Sequence, residues 1–386
     1  MSGAAEAASW LEAEGFTPPP SGPTAWVGSV LPAALWTVAP DHPLADQAAA
    51  EAYGLAPANA AIVLMIDGLG AEPLAANFAY ARNLRRLSDT LVVAQTTVPS
   101  TTAAALTAFT TGALPGQTRM VGYEVRSPSA GERAVSLLNF EPGMEPEAWQ
   151  GVPTLMERLE GQGLGTAVIT KPKFQGSGLT RASFRGGQFV GVETLEDRLD
   201  AALRGVREGR AFQIVYWSDI DHAGHGHGVG SPKWGEKLEE LDSALARFLA
   251  RVPSGATVLL TADHGMVNVE ERIDVAEVPQ LRQDVPLVAG EGRAVHLHAT
   301  DGQGEAAAAR WADFLGERAV VVPQGQIAEL IGPGPGCEEM GAAMVFMRGR
   351  TVVLDSRRQK PSVFQMKGVH GSLTTEEMAI PVWRLA

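Results

Sequence analysis

Apolar residues first gather into an unbroken run at Ala61–Ile66 (AIVLMI), which stops at Asp67-Gly68. A short run that is apolar on both faces and bounded by a turn pair predicts a fully buried strand of the parallel type. The same signature recurs at Gly165–Thr170 (GTAVIT), Phe212–Trp217 (FQIVYW) and Thr257–Thr261 (TVLLT). Between these runs the apolar period lengthens to three and four residues. Pro232–Val252 places Leu238, Leu241, Leu245, Phe248 and Leu249 on one helical stripe. The alanine-rich segment after Val98-Pro99 predicts a second helix, with Ser100 or Thr101 as its N-cap and Gly112 as its stop. Strands alternating with helices predict an α/β fold, a parallel sheet covered on both faces. After Asn268 the pattern loosens. Strand-like pieces at Ala294–His298, Ala319–Val322, Met344–Phe346 and Thr351–Leu354, a helix near 304–317 and a turn at Gly332–Gly336 predict a small α+β insert over 271–365. The sheet is expected to resume near His370 and to end with Ile380–Leu385. Residues 1–60, Ala- and Pro-rich and weakly patterned, are expected to form an N-terminal extension packed on the core. This leaves 61–270 and 366–386 as the main domain.

Composition narrows the chemistry. The chain has 386 residues, 31 Lys+Arg against 44 Asp+Glu, a formal charge of −13, and a single cysteine, Cys337. The acidic balance argues against a stable nucleic-acid partner, because such binding rests on basic patches. One cysteine excludes an internal disulfide and a Cys-based zinc site, so a metal would have to be held by His and carboxylates. Glu6, Glu12 and Glu14 stand where a signal peptide would be apolar, and the uncharged stretch after Phe16 is too rich in proline for a membrane helix. The expectation is a soluble cytoplasmic protein with no membrane association. Oligomeric state is not readable.

Three of the predicted strands run into acids: Asp67, then Asp219 and Asp221, then Asp263. Ligands of open α/β sheets bind beyond the carboxyl ends of strands, so these acids are expected at one edge. Five of the eight histidines fall nearby in sequence: His222, His225 and His227; His264; and His370. Histidine and carboxylate without cysteine suit zinc or manganese. The segment 221–228 is glycine-rich, which predicts a loop wrapped around something small and not a helix. It reads equally as a surface His/Gly loop. A hydroxyl in the first turn of the Ala103–Thr111 helix would sit at its positive end, where an anionic phosphate and an alkoxide are favoured. A plain helix cap is the alternative. Tyr216 and Trp217 end a buried strand and read as core, with the floor of a base-binding slot as the alternative, and His296 and His298 read as structural residues of the insert. Asp219 and His222 read as neighbours of the ligands, and Lys171 and Lys173 as loop cations within reach of a substrate phosphate. No P-loop run is present.

Taken in order, MIDGLG (65–70), PSTTAAALTAFTTG (99–112), DIDHAGHGHG (219–228), TADHG (261–265) and GVHG (368–371) resemble the alkaline phosphatase superfamily, in its nucleotide pyrophosphatase/phosphodiesterase branch. The resemblance implies a three-layer sandwich with a largely parallel central sheet and a site for two divalent ions, zinc first and manganese second. Asp67, Thr102, Asp263 and His264 would hold one ion; Asp221, His225 and His370 would hold the other. Three carboxylates against two divalent ions leave the site at about +1, so a phosphodiester anion can enter despite the overall charge. The family places its nucleophile nine residues before the Thr of a Thr-Gly pair, and Thr111-Gly112 then designates Thr102. The implied reaction is hydrolysis of a phosphodiester or pyrophosphate bond in a small phosphate ester or nucleotide, through a covalent phospho-Thr102. The chain departs from the family where an Asn is expected to bind a phosphoryl oxygen; Tyr123 stands there. Tyr123, His227 and Lys173 are the candidate substrate contacts. A phosphomonoesterase or phosphonate hydrolase on the same site is the alternative, with Arg119 and Arg126 as the nearby cations. A non-catalytic metal-binding or scaffold protein is the remote one.

Overall fold

All seven residues of β1 (Ala60–Ile66) are buried, as a strand apolar on both faces requires. In this computed structural model, which describes residues 9–20, 25–129, 131 and 133–386, β1 lies at the centre of a seven-stranded sheet. Its companions are β2 (Leu91–Gln95), β3 (Thr166–Thr170), β4 (Gln188–Gly191), β5 (Phe212–Trp217), β6 (Ala256–Thr261) and β7 (Ala379–Arg384), in the order β2-β7-β6-β1-β5-β3-β4. β6, β1, β5, β3 and β4 are parallel; β7 runs antiparallel to both β6 and β2. Helices cover both faces, giving the three-layer α/β sandwich. Ile66 pairs with Trp217 and Met65 with Thr261, so the carboxyl ends of β5, β1 and β6 lie side by side. No described helix is long and apolar enough to cross a membrane.

Two helices position the site. α1 (Thr102–Thr111) begins on Thr102 and ends at Gly112, whose φ of 71° is the left-handed stop that the glycine allows. α2 (Asp219–His227) overturns the expectation of a loop over 221–228. Glycine costs a helix about 1 kcal/mol per residue, but here packing outweighs it. A Cβ on Gly224 would lie 2.4 Å from Met266 Sδ, so this glycine lets the helix press against the strand that follows Asp263. α3 (Pro232–Leu249) follows and buries Leu238, Leu241, Leu245 and Phe248, as its stripe predicts.

A second, six-stranded sheet carries the insert strands Ala319–Pro323, Ala343–Met347, Ala294–His298 and Leu287–Glu291, and then Glu124–Arg126 and Ala134–Ser136. Those last two come from within the span assigned to the main domain; Glu124 pairs with Gly290. The insert sheet is thus completed by residues that follow α1. Thr351–Leu354 pairs instead with Glu271–Asp274. Near His370, Gly368–Val369 pairs with Val267–Asn268 and not with the central sheet, which resumes only at Ala379. Of the expected extension, 1–8 and 21–24, with Glu6, lie outside the described residues. Its helix Val30–Val38 buries Val30, Leu31 and Leu35 in the same core as β1.

Candidate active site

The acids at the strand ends are oriented by backbone. Asp67 ends β1, where its N–H donates to Trp217 O at 2.9 Å. Asp263 follows β6; its Oδ1 accepts the N–H groups of Gly68 and His264, each at 3.0 Å, and its Oδ2 has no partner among the described residues. The Tyr216 hydroxyl donates to Asp67 Oδ2, leaving Asp67 Oδ1 without a partner. Asp221 and His225 lie four residues apart on α2, hence on one face, with His225 Nε2 3.3 Å from Asp221 Oδ1. Asp221 Oδ1 is likewise buried and unpartnered. Three orphaned carboxylate oxygens in one place are costly unless a cation joins them.

The histidines are set in a matching way. His225 Nδ1 bonds Gly368 O at 2.8 Å, His264 Nδ1 bonds Gly265 O at 2.9 Å, and His370 Nδ1 bonds Ser100 O at 3.0 Å. A carbonyl only accepts, so each Nδ1 carries the proton and each Nε2 presents its lone pair. His264 Nε2 lies 3.6 Å from Asp67 Oδ1 and 3.4 Å from Asp263 Oδ2, and His370 Nε2 lies 3.8 Å from Asp221 Oδ1. The rings of His264 and His370 stack at 3.6 Å. Thr102 Oγ1 is 3.0 Å from His264 Nε2. Ligand atoms of Asp67, Asp263 and His264, and separately of Asp221, His264 and His370, fall within 4.8 Å of one another. The donor set fits divalent cations, with each imidazole held by a carbonyl as metal-bound histidines are.

Electrostatics point the same way. Burial, then Asp263 and Asp221, push the Asp67 carboxyl well above the usual carboxylate range. Burial also raises Asp263. Burial, then His264 and His225, hold His370 well below the usual imidazole value. The cluster resists negative charge on Asp67 and Asp263 and resists protonating His370, and a bound cation relieves both.

The site opens into a cavity of about 830 Å³. Lys173 and Tyr123 line it, and Tyr123 is 41% exposed. His227 is exposed and does not line it, although it was a candidate contact; it is the last residue of α2. His222 reaches the cavity, whereas Lys171 and Asp219 pair with each other at 2.5 Å. Arg119 pairs with Glu339 at 2.6 Å and stacks on Trp149, and Arg126 donates to Gly131 O, so neither monoester candidate faces the cavity. The roles of two residues escaped the sequence reading. Tyr216 has the apolar company of a core residue, and only its hydroxyl distinguishes it. Glu291 reaches the cavity from the insert, its Oε1 unpartnered and its Oε2 3.7 Å from His370 Nδ1. Burial pushes its carboxyl well above the usual range. A lone acid in a loosely patterned segment gives no signal for this placement.

Known proteins share both sequence and fold with this chain. A phosphopentomutase from Sinorhizobium fredii (strain NBRC 101917 / NGR234) is 31% identical over 116 residues, which is 29% of this chain and only 27% of that protein. Phosphonoacetate hydrolase from Sinorhizobium meliloti 1021, in complex with phosphonoformate, superposes with a TM-score of 0.64 at 18% identity, over 84% of this chain and 89% of that one. Murine ectonucleotide pyrophosphatase / phosphodiesterase 5, an inactive variant in complex with AMP, gives 0.66 at 13% identity, over 84% and 87%. These two likenesses show the fold. The family described as type I phosphodiesterase / nucleotide pyrophosphatase matches residues 61–373, a span that begins in β1 and takes in every strand end, helix start and loop that bears the cluster. On that match the chain belongs to the type I phosphodiesterase / nucleotide pyrophosphatase family, a branch of the alkaline phosphatase superfamily and a family of phosphoric ester hydrolases.

Proposed function

We propose that this protein is a metal-dependent hydrolase of phosphodiester or pyrophosphate bonds that works through Thr102. The observation that carries the reading is the Thr102 hydroxyl at the first residue of α1, 3.0 Å from His264 Nε2 and beside the orphaned carboxylate oxygens. Two divalent ions, one held by Asp67, Thr102, Asp263 and His264 and the other by Asp221, His225 and His370, would acidify the hydroxyl and screen the phosphoryl oxygens; zinc suits this donor set, with manganese second. The first N–H groups of α1 have no helical partner and favour an anionic phosphoryl group in front of them. Thr102 Oγ1 forms the bond to phosphorus as the bond to the leaving oxygen breaks. Water then takes the phosphoryl group and restores the hydroxyl. The cavity falls within the size range of ligand pockets. Phe174, Phe184 and Leu138 give it an apolar side for an organic leaving group, and Lys173 and Arg272 a cationic one. A cytoplasmic setting agrees with the single cysteine.

A phosphonate hydrolase is the second reading, favoured by those cations, which could hold a second anionic group on the substrate. The test compares T102A with the unsubstituted protein on bis-p-nitrophenyl phosphate, a nucleoside 5′-p-nitrophenyl phosphate, a monoester and a phosphonate. T102A is expected to retain bound metal and to lose at least 1000-fold in turnover, roughly the upper part of what one activated group contributes. Full activity in T102A removes the covalent route. Turnover of the phosphonate alone selects the second reading.

A further inference from the structure

The insert touches the catalytic cluster through a buried ion pair. Arg293, in the turn between Leu287–Glu291 and Ala294–His298, and Glu377, in the short helix before β7, are both 0% exposed. Arg293 Nε donates to Glu377 Oε1 at 3.0 Å and Nη2 to Oε2 at 2.7 Å. Nη1 donates to Thr351 O at 2.7 Å. Glu377 faces two ways. Its Oε1 also accepts the Ser372 N–H at 3.0 Å, and its Oε2 the Thr374 hydroxyl at 2.6 Å. Ser372 O accepts the Ser100 hydroxyl at 2.6 Å, and Ser100 N–H donates to Gly371 O at 3.1 Å. Ser100 O is in turn the acceptor that holds His370 Nδ1.

An unbroken chain of bonds therefore runs from Arg293 through Glu377, Ser372 and Ser100 to the imidazole of His370. Among the described residues no such side-chain chain runs from the pair to Asp67 or Asp263; the backbone carbonyl of Glu377 accepts Gly265 N–H at 2.9 Å, and a side-chain substitution leaves that bond in place. Resting on the two-ion reading of the site, we propose that Arg293 is a positioning residue of the centre: through Glu377 it sets His370, and so the affinity of the Asp221–His225–His370 position for its ion. The insert is then a working part of the centre. Arginine is required because its planar fork meets both carboxylate oxygens at once, which a lysine ammonium cannot do. Outer partners of this kind orient ligand histidines and typically change metal affinity 10- to 100-fold, on the order seen when they are removed.

The test is cobalt(II) titration of the metal-stripped full chain, read by calorimetry and visible absorption, with folding followed by circular dichroism. R293K keeps the charge and loses the fork. R293M/E377Q leaves no buried charge unpaired, so it guards against a simple failure to fold. H370A marks the absorption of the ion in question. The unsubstituted protein is expected to bind two ions. Both variants are expected to hold one with unchanged affinity and to weaken, by about tenfold or more, the ion whose absorption H370A lacks. Two ions at unchanged affinity, or both weakened alike, would overturn the proposal. So would failure of both variants to fold, since the pair would then be structural only. An unsubstituted protein that binds no cobalt overturns the two-ion reading and this proposal with it.

Discussion

Each ligand-type histidine in this centre is anchored by a backbone carbonyl on Nδ1, so the ring orientation does not depend on the ion. Each acid is handled differently: Asp263 by two backbone N–H groups, Asp67 by the Tyr216 hydroxyl. Tyr216 is thus the side chain that keeps one Asp67 oxygen occupied and turns the other to the cavity. Y216F should weaken metal binding by about 10- to 100-fold, measured by titration of the stripped protein. Unchanged affinity would mean that the backbone alone orients Asp67. The motif residues Asp67, Asp263 and His264 were legible in the sequence because each follows a buried strand within one to three positions. Tyr216 was not, because the same strand environment that buries it also disguises it as core.

The turn after β1 shows how tightly the elements meet. Gly68 has a φ of 73°, and a Cβ placed there would lie 2.8 Å from Asp221 Cβ on α2. G68A must therefore strain its backbone by about 1 kcal/mol and push α2 outward. Turnover is expected to fall at least tenfold and binding of the ion at Asp221 to weaken, with melting shifted by only a few degrees. Wild-type turnover would show that α2 can move without cost. α2 itself was hidden from the sequence. Its glycines signal a loop by propensity, yet Gly224 is what lets the helix pack on Met266, and the helix puts the i,i+4 pair Asp221–His225 on one face.

At the scale of the molecule, two sheets share one cavity, and the second holds a pair of buried histidines away from the catalytic cluster. Burial, then His298, lowers His296 to about 3; burial, then Arg126, lowers His298 to about 4. Both are neutral in the folded chain, whereas the unfolded chain protonates them below the usual imidazole value. The stability they contribute is present above about pH 6.5 and is lost as pH falls toward 4 and then 3, at up to about 1.4 kcal/mol per pH unit for each. The melting temperature should fall as pH is lowered from 7 to 4.5. H296Q/H298Q should show a shallower slope over that range, and equal slopes would assign the acid sensitivity elsewhere. The sequence by itself determined the α/β alternation and the identity and order of the candidate ligand residues. Those signals are local: an apolar run, an acid at its end, a hydroxyl at a helix start. The tertiary structure alone decided that Tyr216 meets Asp67 across 149 residues, that Glu124–Arg126 and Ala134–Ser136 complete the insert sheet, that Glu291 lines the cavity and that Arg293 pairs with Glu377. Such contacts depend on which strands become neighbours, and no spacing within one segment records that choice.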